Sequence, residues 1–174
     1  MEKEIQAKKE LEKLIKQIEI TVTPEGLRIE LLESASGTFF ELGRPEPTEG
    51  GKEALIALAH QLGGVPNKLS IEGHTDSKPL LRNGGQYGNW ELSVDRANNA
   101  RRLMQESGLR ADQVTEVRGY ADQKLRRPEA PEDASNRRIS VIVQYLKNAE
   151  PSSSAPPPAP PGEKKATEKA MGKR

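Results

Sequence analysis

Leu69-Ser70-Ile71-Glu72-Gly73-His74-Thr75-Asp76 and Asn89-Trp90-Glu91-Leu92-Ser93-Val94-Asp95-Arg96-Ala97 are the two stretches that decide the fold. Leu69, Ile71 and Gly73 alternate with polar residues, which is the period of a strand. The second stretch opens a helix that runs from about Asn89 to Ser107 and stops at Gly108. Val114 to Gly119 then reads as another strand. Strand, helix and strand between Leu69 and Gly119 form a crossover unit with parallel strands, right-handed by the usual chirality rule.

Upstream, Ile18, Ile20 and Val22 alternate with Glu19, Thr21 and Thr23, and Pro24-Glu25-Gly26 is a turn signal. Leu27, Ile29 and Leu31, alternating with Arg28 and Glu30, complete a hairpin pattern. A helix follows from about Glu49 to Leu62, with Leu55, Leu58, Ala59 and Leu62 on one face and Gly63-Gly64 at its end. Downstream, Arg138 to Leu146 carries Ile139, Val141, Val143 and Tyr145 on one face of a last strand. The order β-β-α-β-α-β-β predicts an α+β, two-layer sandwich with helices on one face of a small mixed sheet.

Residues 18–147 hold this folded unit. Residues 1–17 are charged, with Leu11, Leu14, Ile15 and Ile18 at the spacing of one helix face from about Lys3 to Gln17. That helix has no core of its own and is expected to dock on the domain or on a second chain. Residues 148–174 read as a tail: six prolines fall among the eleven residues Pro151 to Pro161, and Glu163 to Arg174 is lysine-rich. Such a tract is expected to be extended, and its removal to leave stability unchanged.

Composition narrows the function. The chain has 174 residues, with Lys+Arg 27 against Asp+Glu 26, a net charge of +1. That balance is not that of a dedicated nucleic-acid binder. There is no cysteine, and the two histidines, His60 and His74, cannot build a three-histidine zinc site. No metal or cofactor is expected. The longest apolar run, Ala54 to Ala59, is far below the roughly 18 residues of a membrane span. Aromatics are 3% of the chain, which predicts an aliphatic core.

Chemistry-bearing residues gather after the first strand of the crossover. Asp76 falls in the loop past that strand's carboxyl end, where ligands of α/β sheets tend to bind. Arg96 shares a helix stripe with Asn89, Ala100 and Leu103, and a guanidinium on an apolar stripe needs a partner. Asp76 could be that partner in an internal ion pair. Alternatively, carboxylate and guanidinium flank a pocket for a zwitterion, the acid taking an ammonium and the arginine a carboxylate. Arg137 and Arg138 could be solvated charges or donors on the pocket wall. No catalytic set is visible: there is no Gly-x-Ser-x-Gly elbow, and Gly84-Gly85 with Gly88 lacks the Lys-Ser/Thr of a phosphate loop.

Gly73-His74-Thr75-Asp76, Asn89-x-x-Leu92-Ser93-x-x-Arg96-Ala97 and Asn136-Arg137-Arg138-Ile139 together resemble the OmpA-like peptidoglycan-binding domain. The string Tyr87 to Asn98 is similar to the periplasmic part of flagellar stator subunits of the MotB type. The resemblance spans about Glu19 to Leu146. It implies non-catalytic binding of the diaminopimelate stem peptide, with Asp76 accepting the ammonium and Arg96 gripping the carboxylate. Thr75, Asn89, Asn136 and Arg137 would complete the pocket. Alanine at Asp76 or Arg96 is then expected to weaken binding and spare the fold. It further implies a periplasmic homodimer that anchors the stator to the wall beside a MotA-type channel subunit. An upstream apolar span bearing one aspartate would tether it to the inner membrane. An OmpA- or Pal-like tether from outer membrane to wall is the alternative machine for the same domain.

Overall fold

The computed structural model describes residues 1–146. The expected tail at 148–174 lies outside the described residues. Five strands, β1 (Ile18–Val22), β2 (Gly26–Leu32), β3 (Leu69–His74), β4 (Val114–Gly119) and β5 (Arg138–Gln144), form one sheet in the order β1-β2-β5-β3-β4. Only β3 and β4 run parallel; the other neighbours are antiparallel. The three helices are α1 (Glu2–Ile15), α2 (Glu49–Leu62) and α3 (Asn89–Glu106). The mixed sheet with helices is the architecture the sequence predicts.

Alternation along the strands sorts the two faces. Ile29, Leu31, Leu69, Ile71, Ile139 and Val141 join Leu55, Ala59, Ala97, Ala100 and Met104 in a single buried core. The opposite face carries Arg28, Glu30, Ser70, Glu72, His74, Arg138 and Ser140, and it buries charge by pairing it. Glu72 accepts from Arg28 (3.0 Å) and Arg118 (2.7 Å), and His74 Nε2 lies 3.3 Å from the same carboxylate. A buried charge survives only with such partners.

The core is not aliphatic alone. Phe39 and Phe40, the only phenylalanines, are 1% and 2% exposed. They sit in an irregular segment before α2 that has no alternation to reveal it. Close approach fixes their place: a Cβ at Gly51 would collide with the Phe39 carbonyl. Thr48 caps α2, its hydroxyl accepting from Gly51 N at 3.0 Å.

Helix α1 packs on α2 and delivers Leu14 (2% exposed) to the main core, with Leu11 against it. The expected stripe is cut short. Ile15 is 53% exposed, and Ile18 opens β1 instead of continuing the helix. Gln17 ends the helix by donating from its side chain to the carbonyls of Leu32 (2.7 Å) and Gly37 (2.9 Å). Among the described residues no helix is long and apolar enough to cross a membrane.

Candidate functional site

Register builds the site. His74 pairs with Arg138 at the end of the antiparallel β3–β5 ladder, so the next residues outward on the two strands, Thr75 with Asp76 and Asn136 with Arg137, meet just past it. Thr75 N donates to Ala121 O (2.8 Å) and its hydroxyl to Asp76 O (2.9 Å). Asp76 Oδ1 accepts from Lys78 N at 3.0 Å, a local turn that aims the carboxylate. Its Oδ2 accepts from Arg137 Nη1 at 2.7 Å. The pair is largely enclosed, with the Asp76 side chain 8% and that of Arg137 18% exposed.

Helix α3 fixes the other wall. Gly73 lets it approach β3, because a Cβ there would collide with the Ser93 carbonyl. Ser93 Oγ accepts from Ala121 N (3.1 Å), holding Ala121 at φ 51°, a left-handed backbone unusual for a residue with a side chain. Asn89, at the first turn, donates to Lys78 O at 2.9 Å and to Asp76 O at 3.5 Å, clamping the loop that carries the carboxylate.

Arg96 does not meet Asp76, which removes the first of the two alternatives, an internal ion pair between them. It is 4% exposed and donates from Nε to Arg44 O and from Nη2 to Glu41 O, both at 2.9 Å. Its guanidinium lies over the Phe40 ring at 5.4 Å. Asn99 donates to Pro45 O (2.8 Å), so α3 holds the whole 41–45 loop. Burial pulls the Arg96 pKa down, and the nearby Glu33 carboxylate opposes it most; Asp76 adds a weaker attraction. Glu33 is itself 4% exposed and accepts from Phe39 N and Phe40 N at 3.0 Å. Burial raises its pKa despite Arg96. Nη1 of Arg96 is engaged by no described residue, which leaves one edge of the guanidinium for an anionic group.

Asn136 is fully buried and has no group to offer a ligand. Its Oδ1 accepts from Arg127 N (2.7 Å), and its Nδ2 donates to Ala130 O (2.8 Å) and Pro131 O (3.1 Å). It shapes the loop that presents Arg137. Thr75, Asp76, Asn89 and Arg137 thus converge, Arg96 stands in the adjoining wall, and Asn136 works from behind. Glu33 and the carbonyls of Glu41 and Arg44 were invisible in the sequence, since no motif marks them. Among the described residues no three acidic or histidine groups cluster to hold a metal.

The model of the OmpA family matches residues 39–139, which includes every one of these groups except Glu33. The chain belongs to the OmpA family. OmpA-family membership places it among binding domains rather than enzymes. It is 37% identical to motility protein B of Escherichia coli K12 over 139 residues, covering 80% of this chain and 45% of that protein. Motility protein B of Bacillus subtilis 168 is 30% identical over 149 residues, 78% of this chain and 54% of that one. The chain spans about half the length of the curated relatives it matches. Among solved structures, the periplasmic domain of Helicobacter pylori MotB shares the fold, with a TM-score of 0.64 at 16% identity, covering 76% of this chain and 82% of that one. So does the cell wall anchor of the T6SS from Pseudomonas aeruginosa, with a TM-score of 0.62 at 21% identity, covering 79% and 96%.

Proposed function

We propose that the chain binds peptidoglycan without chemistry on it and so anchors a flagellar stator to the cell wall. The observation that carries the reading is the Asp76–Arg137 pair beside Arg96, a carboxylate and two guanidiniums enclosed at one end of the sheet. The diaminopimelate of a stem peptide ends in an ammonium and a carboxylate on one carbon. Such a group replaces the internal pair charge for charge. Its ammonium takes Asp76, and its carboxylate takes the released Arg137 and the Nη1 edge of Arg96. Neither buried charge is left unpaired, which keeps the exchange inexpensive. Thr75 and Asn89 hold the carboxylate loop, and Asn136 positions Arg137.

Similarity to motility protein B supports the stator over other wall-bound machines. In that role the chain is a periplasmic homodimer tethered to the inner membrane by an upstream span, next to a MotA-type channel subunit. Sedimentation with purified sacculi tests the binding. The chain is expected to pellet with them, and free diaminopimelate to release it. A chain that stays in the supernatant, or that millimolar diaminopimelate does not release, overturns this reading of the site.

A further inference from the structure

The outer side of the first turns of α3 carries a feature that the Asp76 site does not use. Trp90, the single tryptophan, is 54% exposed, and Val94 one turn on is 41% exposed. With Tyr87, Glu91 and Asp95 they line a shallow groove of about 360 Å³. The walls are held in place before any ligand arrives. Tyr87 Oη donates to Asp95 Oδ2 at 2.6 Å, and Glu91 Oε2 accepts from Gly88 N at 2.9 Å. Val94 leans over β4, where a Cβ at Gly119 would collide with it.

The chemistry of the groove selects its occupant. An exposed indole offers a flat apolar face, the surface on which the C–H face of a pyranose ring packs. The polar groups around it are carboxylates, which accept from hydroxyl and amide donors and repel anions. The cation position over Tyr87 is already filled by Arg82, 5.9 Å from the ring centre. An uncharged ring with an apolar face and a rim of donors fits all three features. Position adds a fourth. Asn89, which holds the Asp76 loop, is the residue next to Trp90. An extended three-residue peptide spans roughly 10 Å at about 3.3–3.6 Å per residue. A stem peptide seated at Asp76 therefore carries its sugar strand into the neighbourhood of this groove.

We infer that Trp90, Tyr87, Glu91 and Asp95 form a subsite for an N-acetylated sugar ring of the glycan strand, with Trp90 as its stacking platform. The inference rests on the peptidoglycan reading above and extends it from the peptide to the polymer. Binding would then use two contacts on one ligand, which strengthens retention under load.

Because Trp90 is the only tryptophan, its fluorescence reports this groove alone. The full chain is titrated with the N-acetylglucosamine tetramer, which carries no peptide, with calorimetry in parallel. A saturable change in tryptophan emission and a matching heat are expected in the wild type and in Asp76→Asn. Trp90→Ala should weaken the calorimetric affinity about twofold to tenfold, the size of one aromatic stacking contact, and Trp90→Phe should recover part of it. Trp90→Ala should also weaken sacculus pelleting, with circular dichroism confirming the fold. No emission change and no heat at millimolar tetramer, or unaltered affinity in Trp90→Ala, overturns the subsite. So does a response to N-acetyl-lysine amide in place of the sugar, which would make the groove a cation site. The two readings fail separately: if diaminopimelate does not compete for sacculi the Asp76 site falls, whereas the tetramer titration judges the groove by itself.

Discussion

The Arg137 guanidinium lies 2.7 Å from the Asp76 carboxylate, and the two flank the facing ends of β3 and β5, just past the last pair of their antiparallel ladder. Each neutralises the other in a largely enclosed place, and each is the charge complement of one end of an amino acid. On the proposed reading, the pair is the part that a zwitterionic ligand replaces. Asp76→Asn and Arg137→Ala should therefore both weaken sacculus binding by about one to two decades, the worth of a charge-assisted hydrogen bond. Binding isotherms for the single and double variants check this. The double variant should lose less than the sum of the two, because the residues act on one ligand group. Full additivity would show that they do not share the ligand.

Arg96 should behave differently from Asp76. Its removal strands the carbonyls of Glu41 and Arg44 and takes away the cation that acts most strongly on Glu33. Breaking a buried charge set of this kind typically costs about 3–5 kcal/mol. Arg96→Ala should accordingly lower the midpoint of urea unfolding, contrary to the expectation that alanine here spares the fold. Arg96→Lys keeps the charge but not the two-pronged geometry and should recover only part of the loss. An Arg96→Ala variant as stable as the wild type would mean that the 41–45 loop does not depend on this residue.

Elements with a regular period were legible in the sequence. The β1–β2 hairpin, α2, the β3–α3–β4 crossover and β5 all follow from alternation or helical spacing, and Gly63 and Gly108 mark two helix ends. The motif residues Thr75, Asp76, Asn89 and Arg137 were legible too, because the end of β3, the start of α3 and the start of β5 bring them to one end of the sheet. The partner of each charge was not. Asp76 meets Arg137 because the antiparallel ladder ends with His74 opposite Arg138 and brings the two flanking segments together, and a register joining residues so far apart in sequence leaves no local trace. Arg96 chooses two carbonyls of a loop without any repeat, and Phe39 and Phe40 are buried there for the same long-range reason. Ile15 fits the helix stripe by spacing, yet it is the last residue of α1 and is left exposed.

The polar face of the sheet makes stability depend on pH. Burial lowers the His74 pKa below 6.5, Arg138 and Arg28 add to the shift, and Glu72 works against it through its bond and its charge. A neutral Nε2–H tautomer donates to Glu72, leaving Nδ1 without a partner. For Glu72, burial acts upward, but bonds from His74, Arg118 and Arg28 prevail and hold it down to about 2. In both groups the unfolded chain binds protons more readily, so stability falls as pH falls. His74 contributes below its ordinary value of 6.5, and Glu72 contributes from 4.5 down to about 2. Glu33 acts in the opposite sense, since its raised pKa favours the folded state below 4.5 and that support is lost as pH rises. The unfolding free energy should therefore drop below pH 6.5 with a slope of up to about 1.4 kcal/mol per unit for one proton. His74→Gln, which keeps a donor for Glu72 but does not titrate, should flatten that upper segment. An unchanged slope in the variant would assign the dependence to other groups.

Helix α1 supplies the last prediction. Its 14 residues are near the length at which an isolated helix is marginal in water, so tertiary packing must hold it. The packing is concentrated in Leu14, which is 2% exposed and lies against Gly37 and Gly50, where a side chain would crowd it. Leu14→Ala opens a cavity under α2 and should cost about 2–5 kcal/mol. Ile15→Ala, one residue further along the same helix, should change stability by no more than about 0.5 kcal/mol, because Ile15 is exposed. Chemical denaturation of the two variants side by side tests whether α1 is part of the folded OmpA-family domain or a free connector. If both are neutral, the helix does not share the core, and force along residues 1–17 reaches the sheet only through β1. If Leu14 alone is costly, the helix and the sheet bear load as one body, and a pull on the N-terminus is delivered directly to the core beneath the Asp76 site.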